Sequence, residues 1–198
     1  MRLVLAVVVA LALIGAGGAL PLLLGDDDDA VAVADSDSGV VDLRDVVTFT
    51  ELGRDHVTAS VTYDSLPPAG GEHFPIWLDG GVYDEPVRDE FAVHDLEHGA
   101  FWFAYDADAL EDDEVAALAD QLPENGIMTP YVGLDAPVVV TVWEAQLALT
   151  GVDDPRLALF LDEYAGGPTA PEPFASCAGG ATLADIADLG LPTDLMAG

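Results

Sequence analysis

The chain contains no lysine, and its only fixed cations are the arginines Arg2, Arg44, Arg54, Arg88 and Arg156. Against these five stand 37 acidic residues, for a formal net charge of −32. A chain with so little positive charge has no surface that could neutralise phosphates, which excludes nucleic acid as a partner. Cysteine is nearly absent too, with Cys177 alone, so no disulfide can form within the chain. A disulfide-free domain must rest on its core, on a bound metal, or on both. Cys177 sits among Pro, Gly and Ala and reads as a small buried residue. No EF-hand-like loop accompanies the acidic residues, which are scattered rather than grouped. Scattered surface acids fit a protein adapted to high salt, because molar salt shortens the screening length to about 3 Å and suppresses self-repulsion.

What is present begins with an uncharged run from Leu3 to Leu24, preceded by Arg2. As a helix its 22 residues would reach about 33 Å, enough for a hydrocarbon core of about 30 Å. Arg2 on one side and Asp26 to Asp29 on the other orient the run with the rest of the chain outside the cell. The small-residue site Ala32-Val33-Ala34 follows only after the four aspartates, which favours a single-pass anchor over a cleaved signal, with secretion as the alternative. Residues 1–25 are therefore expected as membrane anchor or signal segment and 26–50 as an acidic linker. Residues 51–178 should form the globular domain and 179–198 a C-terminal tail.

Within that domain His56 to Tyr63 alternates with β-branched residues, as a strand does. Ser65 to Tyr83 is a Pro- and Gly-rich loop that also carries Phe74, Trp77 and Tyr83, and long loops with large aromatics are functional or pinned to the core. Strands are expected at Ala100 to Tyr105 and Pro137 to Trp143, with helices at Asp108 to Leu122, Pro155 to Tyr164 and Leu183 to Leu189. Trp77, Trp102 and Trp143 are expected in the core. Interleaved strands and helices of this number describe an α+β fold. It is one compact domain with a small mixed sheet and a few helices, preceded by an N-terminal membrane-spanning segment.

All four histidines, His56, His73, His94 and His98, fall in one stretch of the chain. In a helix His94 and His98 lie one turn apart on one face and can share a metal ion. In a strand they would stand roughly 13 Å apart, too far for one ion. Gly99 suits the left-handed position that closes a helix. The pattern His94-x-x-Glu97-His98 also matches the inverted zinc-peptidase signature, in which the glutamate is the general base, and Glu172 has the nominal spacing of a third ligand. However, Glu172 lies between Pro171 and Pro173 rather than in a helix, and little chain is left over for a substrate cleft.

A longer ordered series runs through the domain. It starts with Tyr63-x3-Pro67-Pro68-x-Gly70-x2-His73-x-Pro75-x-Trp77, then Gly81-x-Tyr83 and Val93-His94-x2-Glu97-His98-Gly99. Pro130-Tyr131-x-Gly133-Leu134, Val140-Thr141-x-Trp143 and Ala170-Pro171-Glu172 follow. Over about residues 53–177 this series resembles the uncharacterised envelope family catalogued as domain of unknown function 3105. The resemblance implies a membrane-anchored or secreted protein and carries no mechanism. Val132 stands where the family usually has a second proline.

The residues themselves point to a transition metal. His73 lies behind the stiff Pro67-Pro68 pair, and Met128 offers a thioether. Imidazoles with a thioether in an oxidising exterior favour copper, with zinc as the alternative. Glu97 is a ligand or an acceptor that fixes an imidazole tautomer. The expected centre joins His73, His94 and His98, with Met128 or Glu97 completing it and His56 as a further candidate. Two other readings remain open: an envelope module whose histidines only build the loop or bind a partner, and a zinc hydrolase with Glu97 as base.

Overall fold

The computed structural model describes residues 41–188. Both the expected membrane anchor over 1–25 and the tail beyond 188 lie outside the described residues. Among the described residues no helix is long and apolar enough to cross a membrane.

Two apolar segments form the heart of a mixed sheet. β3 (Phe101–Tyr105) and β5 (Val138–Val142) are buried along their whole lengths and pair antiparallel, Phe103 opposite Val140. Both were expected within a residue of these bounds. β4 (Gly126–Pro130) runs parallel to β3, with Trp102 opposite Ile127 and Phe103 opposite Met128. The crossover between them contains α2 (Asp112–Ala119), since parallel neighbours need a connection of a dozen or so residues. α2 starts later than expected. Its N-cap is Glu111, locked in a capping box with Glu114, whereas Asp106 and Asp108 form a preceding turn.

β6 (Ala145–Leu149) pairs antiparallel with β5, and β1 (Val47–Thr48) pairs with β6. β2 (Gly81–Val82) closes the other edge parallel to β4, so the sheet order is β1-β6-β5-β3-β4-β2. β1 lies in what was expected to be linker. Leu43 and Val46 pack on the core beside it, so the folded part begins before Glu51.

Alternation along the strands sends side chains to two cores. Phe101, Phe103, Tyr105, Met128, Val138 and Val140 pack with Leu118 of α2 and with Leu157 and Phe160 of α3 (Arg156–Glu163). Trp102, Ala104 and Ile127 point the other way. They meet Phe91, Val93 and Leu96 of α1 (Asp89–Glu97) and Ile186 of α4 (Leu183–Asp188). Helices thus cover both faces of a mixed sheet, the α+β class that was expected.

α1 positions the histidines. Asp89 and Glu90 open it, in keeping with the helix dipole, and residues 90–97 are all buried. Its end is a Schellman motif: Gly99 N–H donates to the Leu96 carbonyl at 2.9 Å and Ala100 N–H to that of Asp95 at 3.0 Å. Gly99 adopts φ 83°, as its place after the helix required. Its bare Cα also lets Gly167 approach, and a Cβ at Gly99 would lie 3.2 Å from the Gly167 Cα. That contact seats the C-terminal loop, with Glu172, against the end of α1.

The segment His56 to Tyr63 is not the strand its alternation suggested. Only His56 pairs, in a single parallel bridge to His73. The rest is a strap held by side chains: Ser60 Oγ accepts from Arg88 Nη2 at 2.9 Å, and the Val61 N–H donates to Glu90 Oε1 at 3.0 Å. Arg88 and Glu90 form a buried ion pair at 2.8 Å, with the Arg88 guanidinium over the Phe74 ring.

Candidate metal centre

Three segments deliver ligands to one point. Glu97 follows His94 by three residues on α1, which puts both on one helix face. His73 comes from the aromatic loop, anchored to α1 by Phe74 N–H donating to the Glu90 carbonyl at 3.1 Å. His56 comes from the strap, aligned with His73 by Val57 N–H to the His73 carbonyl at 2.7 Å and His73 N–H to the Asp55 carbonyl at 3.2 Å.

One donor atom each from His56, His73, His94 and Glu97 lies within 4.8 Å of all the others. Ligand atoms on a tetrahedral ion with bonds of about 2.0–2.2 Å stand roughly 3.4 Å apart, so the group is slightly open and small side-chain rotations close it. These four residues could hold a metal ion. The His56 and His94 rings stack at 4.9 Å, while His73 stands edge-on to His56 at 4.9 Å and to His94 at 5.0 Å.

Second partners set the tautomers of the two innermost rings. His73 Nδ1 lies 2.8 Å from the Gly71 carbonyl, and His94 Nδ1 lies 2.7 Å from that of Phe74. A carbonyl oxygen only accepts, so each Nδ1 carries a proton, and Nε2 is the nitrogen left to face the group. Metal-bound imidazoles are commonly oriented by an outer acceptor of this kind. Burial pushes the His94 imidazole down to about 4; the neighbouring imidazoles of His73, His98 and His56 act in the same direction and the Phe74 carbonyl opposes them. His94 is therefore a neutral donor at physiological pH.

The Glu97 carboxylate closes the group. Its Oε2 lies 3.0 Å from His73 Nε2 and 3.5 Å from His56 Nε2. With Nδ1 of His73 already protonated, a 3.0 Å approach of Nε2 to a carboxylate oxygen requires a proton or a cation between them. Exposure is uneven across the group. The His56 side chain is 48% exposed, that of His73 0% and that of Glu97 7%.

Two expected members are not in the group. His98 caps α1 with its ring edge-on to His94 at 4.7 Å, but it turns Nε2 toward Glu172 at 3.8 Å. Its Nδ1 is buried without a partner, and burial lowers its pKa, against the opposing influence of Glu172 and Glu97. Met128 is excluded by strand alternation. It faces the α2/α3 core beside Phe103, on the opposite side of the sheet from α1, and is fully buried there. His56, the least favoured histidine in the sequence, takes the place expected for His98. Trp77 is half-buried and flanks the centre, 5.7 Å from His94 and 5.4 Å from His98. Trp102 and Trp143 lie in the core as expected, and Cys177 is buried.

The zinc-peptidase pattern requires His94 and His98 on one ion and Glu97 free as a base. Here Glu97 sits among the donors and His98 outside them, so the pattern does not describe this site.

A family model described as "Protein of unknown function (DUF3105)" matches residues 56–179, a span holding every residue of the group. Neither a curated protein nor a solved structure matches the chain.

Proposed function

The chain belongs to the DUF3105 family, and from the group this member carries we propose that it binds one transition-metal ion, copper first, for handling rather than for turnover. The carrying observation is the buried contact of His73 Nε2 with Glu97 Oε2 at 3.0 Å, on a ring whose other nitrogen is committed to the Gly71 carbonyl. A divalent ion satisfies that contact together with Nε2 of His94 and a ring nitrogen of His56. Three imidazoles and one carboxylate suit Cu(II) and Zn(II), and Cu(II) stands highest in the usual affinity order. Without Met128 the set lacks the soft donor that would select Cu(I). Glu97 as a ligand is not free to act as the general base that the peptidase pattern assigns to it, which supports holding over hydrolysis. We further propose that the centre works outside the cell, on the strength of the apolar run Leu3 to Leu24 and the acids that follow it.

The same contact supports a second reading, in which His73 is an imidazolium paired with Glu97 and the cluster only builds the loop. Equilibrium dialysis against Cu(II) and against Zn(II), followed by elemental analysis, separates the two. One ion per chain, lost on His73→Ala, is the expected result. A wild-type chain that retains neither metal at micromolar concentration supports the loop-building pair instead.

A further inference from the structure

The four donors are not equivalent, and the difference bears on how an ion would leave. His73 and His94 are buried, and each has its Nδ1 tied to a backbone carbonyl. Glu97 is buried on α1. His56 is the exception on three counts. Its side chain is 48% exposed, its one polar side-chain contact is Glu97 at 3.5 Å, and no acceptor orients its ring. Its strap is irregular; it is held at the His56 end by one bridge to His73, and farther along by the Arg88–Glu90 pair and by Tyr63, whose hydroxyl donates to the Glu72 carbonyl at 2.7 Å.

We infer that His56 is the exchange ligand of this centre, and that an ion is handed to an acceptor that presents a neutral nitrogen chelate. The inference rests on the metal-binding reading above. In the step, an incoming nitrogen bonds to the ion as His56 Nε2 leaves it. Both donors are neutral, so no electron or net charge moves, and His73, His94 and Glu97 hold the ion until the acceptor's second donor arrives. A ligand that is solvent-facing and unbraced is the one whose departure requires no buried hydrogen bond to break.

The surroundings favour a neutral acceptor over an anionic one. Asp55 and Glu72 are exposed on the chain next to His56 and His73, Arg54 is an exposed arginine just before the strap, and the whole chain carries −32. A field of that sign repels anionic chelators at low ionic strength and loses its reach as salt rises.

The test uses the full-length chain loaded with one Cu(II), mixed in stopped flow with free histidine or with EDTA. Tryptophan fluorescence is the readout: Trp77 lies 5.7 Å from His94, close enough that a bound Cu(II) should quench it. Three results are expected. Release is linear in histidine concentration, histidine outpaces EDTA at low salt by a margin that shrinks in molar salt, and His56→Ala releases copper at least tenfold faster. Because His56 is half-exposed, circular dichroism should show that variant folded. Copper release at a rate independent of histidine concentration, or at the wild-type rate in His56→Ala, overturns the exchange assignment while leaving metal binding intact. A wild-type chain that binds no copper in dialysis overturns both, and the dialysis result identifies which failed.

Discussion

His73 and Glu97 are 24 residues apart in the chain, yet Nε2 of one meets Oε2 of the other at 3.0 Å with both side chains buried. Two backbone features produce that contact. The Schellman end of α1 fixes where Glu97 stands, and the Gly71 carbonyl fixes how the His73 ring is turned.

The ligand set should be separable by substitution. His94→Ala and Glu97→Gln should each weaken Cu(II) affinity by at least tenfold, on the order of 1.4 kcal/mol. Met128→Leu should leave affinity unchanged, because that side chain lies on the other face of the sheet. Titration calorimetry on the three variants checks this, and a Met128→Leu loss equal to that of His94→Ala would return the thioether to the centre.

Breaking the Arg88–Glu90 pair should loosen the strap and the fold together. Arg88→Met leaves Glu90 buried without its cation, a loss of about 3–5 kcal/mol, and frees Ser60. The double variant Arg88→Met/Glu90→Leu should recover part of that loss. Urea unfolding of the three proteins measures it. Equal stability of single and double variants would mean the unpaired charge is not the cause.

Gly99 answers to two constraints at once, φ 83° and the close approach of Gly167. Gly99→Ala should cost about 1–3 kcal/mol. Gly151→Ala, in open space, should stay within about 0.5 kcal/mol of wild type. Thermal melts of both variants are the check.

Acid should weaken the fold in part through Asp154. The Arg156 guanidinium and the Thr150 and Arg156 N–H groups hold its carboxyl well below the usual carboxylate range, against the opposing effect of burial. A depressed folded-state pKa adds stability that is complete above the unfolded value of about 3.9 and disappears as pH falls below it. Asp154→Asn should therefore cost about 1.5–3 kcal/mol near neutrality, with the gap from wild type closing below about pH 4. Denaturation at stepped pH values tests the sign, and a gap that widens in acid would contradict it.

Salt should strengthen the fold. With a net charge of −32 and no lysine, self-repulsion is largest in dilute buffer. Raising salt to about 1 M shortens the screening length to about 3 Å, so the melting temperature should climb over that range. A flat or falling melting temperature would remove the case for salt adaptation.

Local pattern made several features legible in advance. The apolar runs of β3 and β5, the helix over Arg156–Glu163 and the glycine that ends α1 were all visible, because burial and capping leave marks on adjacent residues. β6 was not visible. Its alternation, Ala145-Gln146-Leu147-Ala148-Leu149, carries no β-branched residue, and pairing with β5 is what makes it a strand. The strap departs from its pattern for the opposite reason. His56 to Tyr63 has the residues of a strand, but beyond His56 it has no strand partner and is held by the Arg88–Glu90 pair.

The same division runs through the metal centre. Sequence alone left a helix and a strand both open over His94 to His98, with Gly99 suited to ending the helix; the structure makes it helical, which puts His94 and Glu97 on one face. The sequence by itself determined that the domain is acidic, disulfide-free and histidine-clustered. Which histidines meet was decided only by the tertiary structure. Helical spacing fits His94–His98 as well as His94–Glu97, and it is the strap and the aromatic loop, docked on α1, that bring His56 and His73 to one side of it. Met128 was decided by register. With side chains alternating every residue, its pairing opposite Phe103 turns it to the far core, and a shift of one residue would have turned it toward the histidines.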